Sequence, residues 1–107
     1  MAKHITSRRG LFGSTLLFNE QGQYIGEGMP GPFGSTIYTD ASGHYIGESM
    51  KGFLGETVYL DSRGQYSGSS YRGVFGTKNH FDRRGRFVGE TYPEFMGDQL
   101  TVFEDDD

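Results

Sequence analysis

The chain has no cysteine and no tryptophan among its 107 residues. Without thiols it holds no disulfide, no thiolate metal site and no cysteine nucleophile. Hydrophobic residues make up only 34% of it, and no apolar run approaches the length of a membrane-spanning helix. The segment from Met1 to Ser7 lacks the apolar centre of a secretory signal. A soluble, cytoplasmic protein is therefore expected. An excess of basic charge is also missing. The net charge of −4 resides in Glu104, Asp105, Asp106 and Asp107, and without these four the chain has ten acids and ten bases. A neutral body argues against a general nucleic-acid binder. Only one stretch is locally basic, where Arg72, Lys78, Arg83, Arg84 and Arg86 face Asp82 alone. It reads as a solvated edge or a dock for the acidic tail, ahead of a phosphate-binding patch.

What the chain does have is glycine, on a lattice. Seventeen of its 18 glycines fall into four series with a step of 21 residues, and only Gly28 is off phase. A fixed period of this length means one supersecondary unit copied along the chain. The units run 10–30, 31–51, 52–72 and 73–93, with half units at 3–9 and 94–103 and an acidic tail at 104–107. Nine Phe and seven Tyr on a glycine-rich frame suit strands better than helices.

Each unit contains Asp/Asn-x-x-Gly, at Asn19–Gly22, Asp40–Gly43, Asp61–Gly64 and Asp82–Gly85. Asp or Asn opens a type I turn by bonding its own backbone, and the Gly supplies the left-handed residue of a bulged hairpin. The second acid that a calcium loop needs is missing, so the element reads as a turn and no metal site is expected. The turn predicts Tyr38 opposite Ile46, Ile37 opposite Gly47 and Glu48 opposite Thr36. Between units, Lys51-Gly52 reads as a two-residue turn, which would set Tyr45 against Val58 and Ser49 against Leu54.

The resulting fold is all-β: an antiparallel meander of tandem 21-residue hairpins in one domain. One face collects Phe12, Leu16, Phe18, Tyr24, Phe33, Ile37, Tyr45, Leu54, Val58, Leu60, Tyr66, Phe75, Phe81 and Phe87, and is the expected core. Gly26, Gly47, Gly68 and Gly89 would make room there for neighbouring rings. The other face is mixed, and its centre carries Thr36, Tyr38, Ile46, Glu48, Met50, Phe53, Thr57, Tyr59 and Tyr71. Such a patch exceeds what most soluble monomers leave in water, so a partner is expected to cover it. The half units are complementary. His4–Ser7 stands where a second strand belongs and Leu100–Phe103 where a first strand belongs, so their pairing would close a barrel or ring and remove both sheet edges.

Gly31-Pro32-Phe33-Gly34-Ser35-Thr36-Ile37-Tyr38 and Asp61-Ser62-Arg63-Gly64-Gln65-Tyr66 resemble the units of a group of short bacterial tandem-hairpin proteins built from Gly-Leu-Phe-Gly and Tyr-Asp-x-x-Gly. That resemblance covers residues 10–93 and implies a hairpin array without an assigned activity. Tyr24-Ile25-Gly26-Glu27 and Tyr45-Ile46-Gly47-Glu48 are also similar to the opening of MORN repeats. Gly28 and Ser49 stand where MORN units continue with an aromatic, so the lipid or scaffold role of that family is not carried over.

Catalytic constellations do not assemble. His4, His44 and His80 occupy three different phases of the repeat, and Glu27, Glu48 and Glu90 recur too far apart to act as a pair. Gly10–Gly13 lacks the Lys-Ser/Thr of a phosphate loop. No catalytic residue, cofactor or metal is expected. The sequence thus points to a non-enzymatic structural or protein-interaction module that self-associates, most simply as a homodimer. The alternative is a small multivalent carbohydrate-binding protein using Thr36, Tyr38 and Glu48, Thr57 and Tyr59, and Thr15 and Glu27.

Overall fold

The computed structural model describes residues 3–94 and 98–104. Ten strands follow one another: β1 (Lys3–Arg9), β2 (Thr15–Phe18), β3 (Tyr24–Pro30), β4 (Thr36–Asp40), β5 (Tyr45–Lys51), β6 (Thr57–Asp61), β7 (Tyr66–Arg72), β8 (Lys78–Asp82), β9 (Phe87–Pro93) and β10 (Gln99–Phe103). All neighbours are antiparallel, and β10 returns to pair with β1, from Lys3 opposite Phe103 to Ser7 opposite Gln99. The two half units make the fifth hairpin of a closed barrel. The expected positions of Phe95, Met96 and Gly97, and of Asp105–Asp107 in the tail, lie outside the described residues.

The Asp-x-x-Gly turns form as expected. Asp40 Oδ1 accepts the N–H of Ser42 and of His44, each at 2.9 Å. Asn19, Asp61 and Asp82 repeat this pattern. Gly43 and Gly64 have φ of 88° and 78°.

Two expectations about register are corrected. The connection between units is a five-residue loop rather than a two-residue turn: Gly52 N–H bonds the Glu56 carbonyl at 2.7 Å, and the same closure recurs at Gly10–Ser14, Gly31–Ser35, Gly73–Thr77 and Glu94–Asp98. Met50, not Tyr45, therefore stands opposite Val58, and Ser49 opposes Tyr59 rather than Leu54. Each of the four hairpins closed by an Asp/Asn-x-x-Gly turn also carries a bulge. Thr39 pairs with Tyr45 and Tyr38 with Gly47, so Ile46 is the extra residue, and Glu48 opposes Ile37 instead of Thr36. Ile25, Ser67 and Val88 are extra in the same way. A bulge bends and twists its strand, and the four in this sheet contribute to the curvature that closes it.

The expected core face is consequently on the outside of the barrel. Leu16, Ile37, Val58, Leu60 and Phe81 are half-buried on the outer wall, while Phe12, Phe33, Leu54 and Phe75 lie in the loops, exposed. Among the described residues no hydrophobic side chain is fully buried; the buried positions are glycines and Ser35, Ser49, Ser69, Ser70 and Thr91. On the concave side Ser49, Ser70 and Thr91 stand beside the larger Tyr38, Tyr59 and His80, which they meet across the strands. A Cβ on Gly47 would collide with the Leu60 carbonyl of β6, so this glycine series admits the neighbouring backbone rather than a ring. The off-phase Gly28 does admit a ring: a Cβ there would lie 2.8 Å from Tyr38 Cε1.

Two outcomes test this architecture. Gly64→Val should destabilise the protein by more than about 1 kcal/mol, because a β-branched residue is strained at positive φ. Arg63→Ala should stay within about 0.5 kcal/mol; equal effects in urea unfolding would refute the turn. Amides of Leu100–Phe103 should exchange slowly and lose protection when residues 1–7 are deleted. Unchanged protection would mean that β1 does not hold β10.

Candidate functional site

The loops at residues 10–14, 31–35, 52–56 and 73–77 lie at one end of the barrel and carry large apolar side chains into solvent. Phe12, Phe33, Phe53 and Phe75 retain 94–105% of full exposure, and Leu11, Leu54 and Val74 more than 70%. Three of these phenylalanines sit in the left-handed region, with φ of 57° at Phe12, 58° at Phe33 and 56° at Phe75. A bulky residue rarely adopts that conformation, which costs about 1–2 kcal/mol. Nothing buried offsets the cost, since the ring points away from the barrel. The geometry holds an aromatic where it can touch something else.

Around this crown the strand ends form a collar of mixed charge. Arg9, Lys51 and Arg72 are exposed immediately before their loops, and Glu56, Glu94 and Asp98 stand at loop ends on the same rim. Arg8 pairs with Asp98 at 3.4 Å and lies over the Phe18 ring at 5.5 Å. Between the first loop and the end of β3 an open cleft of about 830 Å³ is lined by Leu11, Phe12, Met29, Pro30, Arg9 and Glu27.

Below the collar the outer wall is aromatic. Tyr24 stands edge-on to Phe18, and Phe81 to both Tyr71 and Phe87. The Tyr24 hydroxyl donates to Glu27 at 2.6 Å, Tyr45 to Glu48 at 2.7 Å and Tyr92 to Glu90 at 2.6 Å. Each of these carboxylates raises the pKa of its tyrosine, chiefly through that hydrogen bond.

The lumen is a different environment. Two rings of side chains line it, one residue per hairpin. Nearer the crown are Thr15, Thr36, Thr57, Lys78 and Gln99; the next ring is Leu17, Tyr38, Tyr59, His80 and Thr101. All of these but Thr57 border an open cavity of about 540 Å³, together with Ser7, Thr91 and Phe103. Cross-strand hydrogen bonds repeat from unit to unit. Tyr38 meets Ser49 at 3.4 Å, Tyr59 meets Ser70 at 3.0 Å, and His80 Nε2 meets Thr91 Oγ1 at 2.6 Å, with Thr91 in turn 2.7 Å from Thr101. Burial raises the Tyr59 pKa. Burial, and then the charge of Lys78, lowers that of His80 below its ordinary 6.5.

The nine residues singled out from the sequence do not share one face. Thr36, Tyr38, Thr57 and Tyr59 point into the lumen. Glu48, Met50 and Tyr71 lie on the outer wall, Ile46 is the exposed bulge residue of β5, and Phe53 belongs to the crown. The bulge and the five-residue loop, each adding an odd residue to the expected register, separate them. The Thr-Tyr-Glu patch is divided by the wall, because Glu48 bonds Tyr45 outside while Tyr38 and Thr36 lie inside. Missed in the sequence were the crown as a surface and the pair Lys78 and His80. The signal for the crown was the recurrence of an apolar ring between two glycines. For the pair it was a break in the repeat, with Lys after three threonines and His after two tyrosines.

Neither a protein-family model, nor a curated protein, nor a solved structure matches the chain.

The lumen gives a pH dependence. The folded chain disfavours protonated His80, so the unfolded chain takes up that proton more readily. The stability from His80 is complete above about pH 6.5 and declines as pH falls below it. Wild type should therefore lose stability from pH 6.5 downward in denaturant titrations, and His80→Gln should lack this phase. Both should share a later loss below about pH 3.8, where Asp40, Asp61 and Asp82, held low first by the amides of His44, Gln65 and Arg86, take up protons. A His80→Gln profile parallel to wild type between pH 6.5 and 5 would contradict the assignment.

Proposed function

We propose that this barrel is a non-enzymatic contact module that self-associates through its loop crown. The observation that carries the reading is the set of fully exposed phenylalanines held at positive φ. Backbone strain kept without any return inside the fold points to a purpose outside it. An apolar centre ringed by both signs of charge is the make-up of a protein interface. The collar, with Arg9, Lys51 and Arg72 among Glu56 and Glu94, can pair with a second copy of itself. The cleft beside the first loop offers an apolar recess between Phe12 and Met29 for an incoming ring. This replaces the face centred on Tyr59 as the interface. Tyr59 is largely buried and bonded to Ser70, so Tyr59→Glu would place a carboxylate in the lumen instead of opening a dimer.

The outer wall is not built like a lipid-facing band. Strands of four to seven residues fall short of the roughly 9–11 that cross a bilayer, and Glu27, Glu48 and Glu90 stand on the wall. Among the described residues no helix is long and apolar enough to cross a membrane. A cytoplasmic location is part of the proposal.

The test separates contact from folding. Phe33→Asn with Phe75→Asn should leave thermal stability unchanged or raise it by up to about 1 kcal/mol, since Asn tolerates the left-handed region. The same double variant should shift the molar mass measured by light scattering toward monomer. A wild type that stays monomeric at millimolar concentration would sink self-association. Binding of that monomer to lipid vesicles, lost in the double variant, would instead assign the crown to a membrane surface.

A further inference from the structure

Lys78 departs from its repeat in a place where the fold asks for nothing. The same position is Thr15, Thr36 and Thr57 in the preceding units, and threonine fills the wall there without charge. Lys78 is half-buried and borders the lumen cavity. Among the described residues no carboxylate lies within ion-pair distance of it. A partly desolvated ammonium without a counter-ion is unfavourable, and a cavity of about 540 Å³ is within the range that holds small ligands. The neighbouring surface is aromatic. Tyr59 and His80 have ring centroids 6.1 Å apart, and His80 and Phe103 5.8 Å apart, forming one continuous run across β6, β8 and β10. Around it stand hydroxyls already engaged with one another, as in Thr91 with His80 and Thr101.

We propose that the lumen binds a small organic anion, a carboxylate or phosphate ester with a planar apolar body, its charge at Lys78 and its body along Tyr59, His80 and Phe103. Lys78 is the only cationic side chain of the two lumen rings apart from the titratable His80, so it fixes which way the ligand points. The aromatic run supplies area without charge, and offset or edge-on ring contacts orient a flat body. Self-association through the crown does not enter this inference.

The experiment is an NMR titration of the full chain with four probes: benzoate, phenyl phosphate, benzamide and inorganic phosphate. Benzoate or phenyl phosphate should move the amide signals of Lys78, His80, Tyr59 and Thr101, and which of the two binds tighter identifies the anionic head. Benzamide should bind at least about tenfold more weakly, a loss of roughly 1.4 kcal/mol. Lys78→Thr, which restores the residue of the other units, should lose at least about tenfold in affinity while keeping the β-sheet circular dichroism spectrum. Lys78→Met, which keeps the chain length and removes the charge, should do the same if the threonine variant does not fold. The proposal is overturned if neither organic anion shifts lumen signals at about 10 mM. It is also overturned if the Lys78 variants bind as well as wild type, or if inorganic phosphate binds as tightly as phenyl phosphate, since the aromatic run would then contribute nothing.

Discussion

Everything in this molecule depends on the ladder between β1 and β10. Without it the chain would be an open sheet with two unpaired edges and, among its described residues, no buried apolar side chain to hold it together. Closure gives every strand two hydrogen-bonded neighbours and removes the edges on which sheets aggregate. It also divides space. Once the ring is shut, successive side chains belong to a lumen or to an outer wall. Four Asp/Asn-x-x-Gly turns lie at one end of the ring, and Lys3 stands opposite Phe103 where a fifth would be. The apolar loops lie at the opposite end. One polar end, one apolar end and an interior that mixes hydroxyls with aromatic rings follow from a single repeated hairpin bent into a circle.

The distribution of polarity is the reverse of an ordinary core. Tyr38 and Tyr59 bond Ser49 and Ser70 inside, whereas Phe18, Phe81 and Leu60 cover the outside. Two features keep this arrangement stable. Outside, rings pack edge-to-face in a belt, and the tyrosine hydroxyls are tied to Glu27, Glu48 and Glu90, so the polar tips are satisfied while the ring faces stay against the sheet. Inside, side-chain hydrogen bonds join β4 to β5, β6 to β7, β8 to β9 and β9 to β10, and among the described residues no buried polar side-chain atom lacks a partner. Cross-strand pairs of this kind contribute a few tenths of a kcal/mol to about 1 kcal/mol each. The barrel is held by many such increments.

The fold was legible in the sequence because its devices are local. An Asp or Asn that caps two amides, and a Gly at positive φ three residues later, act within five residues, and four copies left no other reading of the turns. Closure was legible because the half units complement each other, His4–Ser7 with Leu100–Phe103. The faces were not legible. A bulge such as Ile46 changes which residues oppose each other without leaving a mark in composition, and Gly-x-Phe-Gly reads as a turn flanked by core rings until its loop is known to span five residues. An error of one residue inverts a strand. The hydrophobic alternation then pointed the aromatics inward, because an apolar stripe ordinarily marks the core.

The two candidate surfaces show opposite relations to the repeat, and each relation suits its task. The crown uses sameness. Phe12, Phe33 and Phe75 are copies, presented at nearly one φ from equivalent loops. A ring of equivalent contacts engages a broad partner many times over, which is how repetition turns a weak contact into a useful one. The lumen uses difference. A small ligand in a symmetric tube would find five equivalent orientations and no reason to prefer one. Leu17, Gln99 and Thr101 already depart from that symmetry without charge, and Lys78 with His80 on a single strand adds the charged departure, while His80 takes over the role of tyrosine toward Thr91. The fold therefore tolerates the departure at the cost of one desolvated charge. In a protein assembled from copies, the repeated residues build the surface proposed to meet another large body, and the exceptions mark the place proposed to hold a small one.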